Sequence, residues 1–273
     1  MYLAHETSGE GPNVVLLHGL TATRNRVIHG SRRLERAGFR TTAYDARSHG
    51  DSDPPSTAED PARAYSYEAL ADDLESVIEQ SMPADEPYLL AGSSMGAHTA
   101  IRHAMQRPRN IAGLVLIGPA VDGSSRSEDE LSYWDDLSDG LRKGGVDGFI
   151  EVFERGLTVS VDWRQRIVDL ERDLMSRHRH LDALADAIKW VPRSAPFEST
   201  DELCDLRIPS LIVASDDEVD PGHPLAVARA WAEALPEARL RIDRPGETPL
   251  AWSGGRLCEV IADFAASETD LVR

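Results

Sequence analysis

Cysteine is nearly absent from this chain, with only Cys204 and Cys258 among 273 residues. They stand far apart and without metal-ligand spacing, which argues against a disulfide framework and points to free thiols in a reducing compartment. Long apolar runs are also lacking. No stretch approaches the ~18 apolar residues that a bilayer span requires. The opening residues Met1-Tyr2-Leu3-Ala4-His5-Glu6 have no basic region followed by an apolar core, so they do not read as a secretory leader. Basic charge is scarce: 29 Lys and Arg against 47 Asp and Glu leave a formal charge of −18. Such an acidic surface repels nucleic acid and anionic membrane, so neither is expected as a partner. A soluble cytoplasmic protein is expected. No internal repeat and no low-complexity segment interrupts the chain.

What is present is organised around Tyr88-Leu89-Leu90-Ala91-Gly92-Ser93-Ser94-Met95-Gly96-Ala97-His98. The apolar run after Pro87 suits a buried strand, and Ala97, Ala100, Ile101, Ala104 and Met105 carry helical spacing. Between them lies Gly92-x-Ser94-x-Gly96, a serine between two glycines at a strand-to-helix turn. So sharp a turn strains the serine backbone and leaves no room for side chains at the glycines. It presents the hydroxyl at a helix N-terminus, where free N–H groups and the helix dipole favour developing negative charge.

The same alternation runs along the chain. A short edge strand is expected near Met1–Glu6, an apolar strand at Val14–His18, a helix over Asn25–Ala37 and a strand at Arg40–Asp45. Ser66 reads as the N-cap of a helix reaching Gln80. Ile111–Ile117 and Pro209–Ala214 are further apolar strands, and Ala238–Asp243 a last one. Helices are expected over Leu225–Leu235 and Gly255–Ala265. Strands that do not alternate, separated by helices, predict an α/β protein with a doubly wound, mostly parallel sheet. Ligands of such sheets bind beyond the carboxyl ends of the strands, where His18-Gly19, Asp45, Ser94, Gly118 and the residues after Ala214 all fall. From residue 122 to 199 strand signals vanish and helical periodicity takes over. A core of 1–121 and 200–273 is therefore expected to carry a helical cap of 122–199, a lid across the strand ends. Trp134, Trp163 and Trp190 within it are candidates for lining an apolar pocket or packing its core.

In order and spacing, His18-Gly19, Asp45-x-Arg47-x-His49-Gly50-x-Ser52, Gly92-x-Ser94-x-Gly96, a helical insertion and a late acidic loop resemble the α/β-hydrolase superfamily over nearly the whole chain. The resemblance implies Ser94 as nucleophile and the backbone N–H groups of Leu20 and Met95 as oxyanion hole. It implies an orienting acid in Ser215-Asp216-Asp217-Glu218-Val219-Asp220-Pro221. Asp217 fits best, with Asp216 and Glu218 as fallbacks and Asp122 as an alternative site. Neither cofactor nor metal is implied.

The resemblance breaks at the base. A Gly-His pair is expected after the last strand, but Arg244-Pro245-Gly246-Glu247-Thr248-Pro249 stands there, and no histidine follows residue 223. A carboxylate titrating near ~4.3 is a poor base for a serine hydroxyl, so a role for Glu247 requires a raised pKa. His223 is the other candidate, on a loop at the right end of the sheet, unless it merely precedes the helix at Leu225. His98 sits one helical turn after Ser94 and is expected to pack beneath it. His18 and His49 are expected to shape loops, with His18 also near the pocket mouth. His178 and His180, two apart, would face different sides of a helix and suit no metal. Two functions compete. One is an esterase-like serine hydrolase, or a variant with unusual chemistry such as C–C cleavage. The other is a binding protein that retains the pocket but has lost turnover.

Overall fold

The structure, a computed structural model, describes residues 1–107, 109–124, 126–159, 161–216, 222–242 and 252–272, with backbone alone at 161 and 162. Its strands are β1 (His5–Ser8), β2 (Asn13–Leu17), β3 (Arg40–Tyr44), β4 (Tyr88–Ser93), β5 (Ile111–Ile117), β6 (Ser210–Ala214) and β7 (Ala238–Ile242). They form one sheet in the order β1-β3-β2-β4-β5-β6-β7, antiparallel only between β1 and β3. Successive residues of a strand point to opposite faces. Val15, Leu17, Leu90, Leu114 and Ile212 accordingly join one apolar cluster, and Val14, Leu16, Leu89, Val115 and Val213 another. Helices α3 (Tyr67–Ser81), α4 (Met95–Gln106) and α8 (Leu225–Ala234) cover the first face, through residues such as Leu74, Ile101 and Trp231. Helices α1 (Arg33–Arg36) and α9 (Gly254–Glu268) cover the second, through Leu34, Ile261 and Phe264. Burial on both sides explains why these strands read as unbroken apolar runs. Helix α2 (Pro61–Ala64) leads into α3, whose first turn is capped by the Ser66 hydroxyl.

The long helix expected over Asn25–Ala37 does not form. A 3₁₀ turn at Arg24–Arg26 and the short α1 take its place, separated by His29 and Gly30 at φ of 50° and 70°. The cause is tertiary. The start of α9 presses so close that a Cβ on Gly254 would stand 1.9 Å from the Ile28 carbonyl oxygen. Packing here overrides a weak local helical preference.

Between β5 and β6 every regular element of the described residues is helical: α5 (Glu128–Gly156), α6 (Val161–Met175), α7 (Leu181–Trp190) and short 3₁₀ turns. Helix α5 is kinked at Gly145, φ 60°, and doubles back so tightly that a Cβ on Gly148 would meet the Gly140 carbonyl oxygen at 2.2 Å. This insertion has its own apolar cluster, including Leu137, Phe149, Met175 and Ile188. No helix among the described residues is long and apolar enough to cross a membrane.

Candidate active site

The chain reverses its winding direction between β2 and β4, and the crevice at such a switch point is where open α/β sheets bind ligands. Ser94 sits there, between the end of β4 and the first residue of α4, at φ 52° and ψ −115°. A non-glycine residue at positive φ persists only where its surroundings fix it. Its N–H donates to the Ile117 carbonyl at 2.8 Å, which ties the turn to β5. A Cβ on Gly92 would stand 2.3 Å from the Gly96 carbonyl oxygen, and one on Gly96 2.2 Å from that of Leu17. Only glycine fits either place, and so the spacing Gly-x-Ser-x-Gly is dictated by backbone contact.

His223 meets this serine. Its Nε2 lies 2.8 Å from Ser94 Oγ, brought there from just ahead of α8. Gly118, at the end of β5 with φ 57°, leaves space for the imidazole. A Cβ on Gly118 would touch the ring Cγ at 3.3 Å. Asp217, Glu218 and Glu247 lie outside the described residues. Asp216 and Asp122 are both exposed, and neither lines the cavity. The Asp122 carboxylate accepts from the Ser124 hydroxyl at 2.6 Å and its N–H at 3.1 Å, bonds that hold its pKa below the usual carboxylate range.

The other histidines near the site are occupied. His18 Nε2 accepts from the Ala46 N–H at 2.9 Å, which leaves Nδ1–H to donate to the Gly19 carbonyl at 2.7 Å. Expected near the pocket mouth, His18 instead stands buried behind the cavity wall, because both ring nitrogens are tied to backbone. Burial lowers its pKa to about 3. His49 sits between the Leu20 and Arg47 carbonyls at 2.7 and 2.8 Å, and burial lowers its pKa as well. His178, from the turn between α6 and α7, accepts from the Gly50 N–H at 3.0 Å and lies 3.2 Å from the Thr21 carbonyl. It thereby fastens the insertion to two sheet loops. His98 lines the cavity wall below Ser94. Its Nε2 accepts from the Ala120 N–H at 3.0 Å, and its Nδ1 lies 2.9 Å from Tyr67 Oη.

The rest of the Asp45-x-Arg47-x-His49-Gly50-x-Ser52 stretch is scaffold. The buried Asp45 carboxylate pairs with Arg24 and accepts from the Arg24 and Asp51 N–H groups at 2.7 and 3.0 Å. Arg47 forms a two-pronged bond to Asp73, 2.6 and 2.7 Å, and also donates to the Ala69 carbonyl at 3.0 Å. Buried charges must be paired in this way. Ser52 Oγ links the Asp45 carbonyl, at 2.6 Å, to the Ala4 N–H, at 2.8 Å.

A cavity of about 640 Å³ opens over Ser94 and His223. Gly19, Leu20 and Met95 form its floor, and Tyr133, Trp134, Leu170 and Leu174 of the insertion its roof. Of the three tryptophans considered as lining, only Trp134 is there. Trp163 lies under the Arg166 guanidinium, and Trp190 is flanked by Lys189 and Arg193. Two lining residues carried no signal in the sequence: Tyr67, which reads as the first position of a capped helix, and Arg126, one charge among many in a polar stretch.

A parallel sheet with a strained serine at its switch point, beneath a helical insertion, is the architecture of the α/β-hydrolase superfamily, and the chain belongs to it. The family model for serine aminopeptidase, S33, matches residues 11–142. A pimeloyl-[acyl-carrier protein] methyl ester esterase of Aromatoleum aromaticum is 30% identical over 253 residues, covering 87% of this chain and 92% of the esterase. A 2-hydroxy-6-oxononadienedioate/2-hydroxy-6-oxononatrienedioate hydrolase of Pseudomonas putida is 28% identical over 219 residues, 78% of this chain and 74% of that protein. Among solved structures, a thermophilic esterase from Thermogutta terrifontis superposes with a TM-score of 0.77 at 22% identity, covering 97% of this chain and 93% of that one. Of these three, two are named esterases and the third a hydrolase, which supports hydrolase activity in general.

Proposed function

We propose that the protein is a serine hydrolase that cleaves a small-molecule ester through Ser94, with His223 as general base and acid. The observation that carries this reading is the 2.8 Å contact between His223 Nε2 and Ser94 Oγ at the strained turn. In the resting site the serine O–H donates to Nε2. As Oγ attacks the ester carbonyl carbon, the proton passes to His223 and the carbonyl oxygen becomes an oxyanion. The Met95 N–H receives that charge, since the first N–H groups of a helix have no carbonyl one turn back. The Leu20 N–H is the second donor. His18 and Ala22 hold the Gly19 carbonyl, at 2.7 and 3.0 Å, so the planar amide directs the Leu20 N–H the opposite way. Collapse expels the alcohol, which takes the proton from His223 and leaves an acyl-Ser94. Water, deprotonated by the same histidine, then releases the acid and restores the serine. Asp217 is assigned to steady the imidazole in the tautomer that this requires.

In this reading Gly246-Glu247 leaves no gap, because the imidazole arrives from the loop after β6. Glu247 is given no step. Labelling with a fluorophosphonate and hydrolysis of p-nitrophenyl acetate by wild type, Ser94→Ala and His223→Ala test the assignment. Wild type should label and turn over, and Ser94→Ala should do neither. His223→Ala should lose about 10²–10⁴-fold, the usual contribution of a positioned base. Hydrolysis surviving Ser94→Ala refutes the nucleophile, and full activity in His223→Ala refutes the base.

A further inference from the structure

The side of the cavity lined by Tyr67, His98 and Arg126 holds two hydrogen-bond donors with no acceptor among the described residues. Ala120 N–H donates to His98 Nε2, so the proton of the neutral ring is on Nδ1. That proton goes to Tyr67 Oη, 2.9 Å away. The Tyr67 oxygen is thus already an acceptor, and its own O–H is left over. The hydroxyl is buried, lines the cavity and has no second partner among the described residues. A buried donor without an acceptor is unfavourable, which makes it a place where a ligand oxygen is expected.

Arg126 lines the same side. Its Nε is buried without a partner among the described residues. Its Nη1 stands 3.7 Å from Glu130 Oε1, beyond hydrogen-bond reach, while Glu130 Oε2 accepts from the Ser127 N–H and hydroxyl at 2.9 and 2.7 Å. The positive charge is felt by both Tyr67 and His98, and His98 also feels His223. Arg126, Tyr67, His98, Ser94 and His223 all line the one cavity. In a chain of formal charge −18, a guanidinium lining the cavity with no hydrogen-bonded carboxylate among the described residues stands out.

From these converging donors we infer that Arg126 and Tyr67 form a carboxylate subsite, and that the substrate is an ester bearing a free carboxylate away from the scissile bond. This rests on Ser94 being the nucleophile. A guanidinium N–H beside a phenolic O–H matches the two oxygens of a carboxylate, and the surrounding apolar wall strengthens both bonds. The carboxylate can belong to the acyl part or to the alcohol part. Rates for monomethyl adipate and for butyryloxyacetate, each against an uncharged ester of matched length, distinguish the two.

The test uses wild type, Arg126→Gln and Tyr67→Phe. The wild type should prefer one charged ester over its neutral match. For that ester the ratio of kcat/KM values, charged over neutral, should fall at least tenfold in Arg126→Gln and several-fold in Tyr67→Phe. Calorimetry of adipate and glycolate binding to Ser94→Ala reads the subsite without turnover, and Arg126→Gln in that background should weaken binding about tenfold. Ratios unchanged by both variants, or a wild type that binds neither carboxylate, would overturn the inference. Hydrolysis persisting in Ser94→Ala would sink the catalytic assignment, with the calorimetry still deciding the subsite.

Discussion

On the sheet side of the cavity, the groups near Ser94 are held by backbone contacts and buried polar bonds. Gly92 and Gly96 admit no side chain, a Cβ on Gly118 would press on the His223 ring, and His18, His49 and His98 are tied at both ring nitrogens. On the helical side the wall is Tyr133, Trp134, Leu170 and Leu174, with Arg126 and Glu130 near its edge. That side is fastened to the sheet by a few bonds, among them His178 to Gly50 and Arg179 N–H to the Gly50 carbonyl at 3.0 Å. The difference separates two tasks. Reactive groups must be placed to a fraction of an ångström, which a rigid parallel sheet provides. Fit to a particular substrate tolerates apolar exchange, which a separately packed helical layer provides.

The largest break in that contrast is expected on the sheet side. Ser94→Ala should lower kcat/KM by about 10⁴-fold or more in steady-state assays, with an unchanged melting temperature. Arg47→Ala should cost about 3–5 kcal/mol, read as a lower urea midpoint, because it strands the buried Asp73 carboxylate. Acid should probe the histidine scaffold. Burial lowers His18, His98 and His178 to about 3 and His103 to about 4, against 6.5 for an exposed ring. The unfolded chain therefore binds protons that the folded chain refuses. Stability should be complete above pH 6.5 and fall below it, by about 1.4 kcal/mol per pH unit for each such ring. Urea midpoints across pH 7.5 to 5 check this, and His178→Gln should reduce the proton uptake on unfolding by about one. The smallest effect belongs to the roof. Leu174→Ala should shift preference toward longer acyl chains by about tenfold, since one pocket contact is worth ~1–3 kcal/mol in discrimination. Its cost in stability should be about 2 kcal/mol or less. Equal losses across all chain lengths would mean that the roof also places the reacting groups.

Much of the fold was legible because parallel strands buried on both faces have a distinctive pattern. Val14–Leu17, Leu89–Ala91 and Ile111–Ile117 needed no partner to be read as strands. The glycines around Ser94 were legible for a similar reason, since local backbone geometry demands them. The Asn25–Ala37 segment was not, because what interrupts it is α9, more than 200 residues further along the chain. Arg126 and Tyr67 were invisible at the cavity for the same cause. A charged residue before a helix and an aromatic at a helix start have ordinary local meanings, and only the turn of α4 that carries His98 brings them together.

Residue order alone determined the alternation of strand and helix, the strained serine and the absence of any histidine after position 223. These depend on backbone sterics and periodicity, which act over a few neighbours. Tertiary structure alone decided which imidazole meets Ser94. His18, His49, His98 and His178 each find backbone partners in the folded chain, whereas His223 is carried by the loop before α8 across the bare face of Gly118 to the hydroxyl. Contacts between residues 129 positions apart follow from how the layers pack, and spacing along the chain does not encode them.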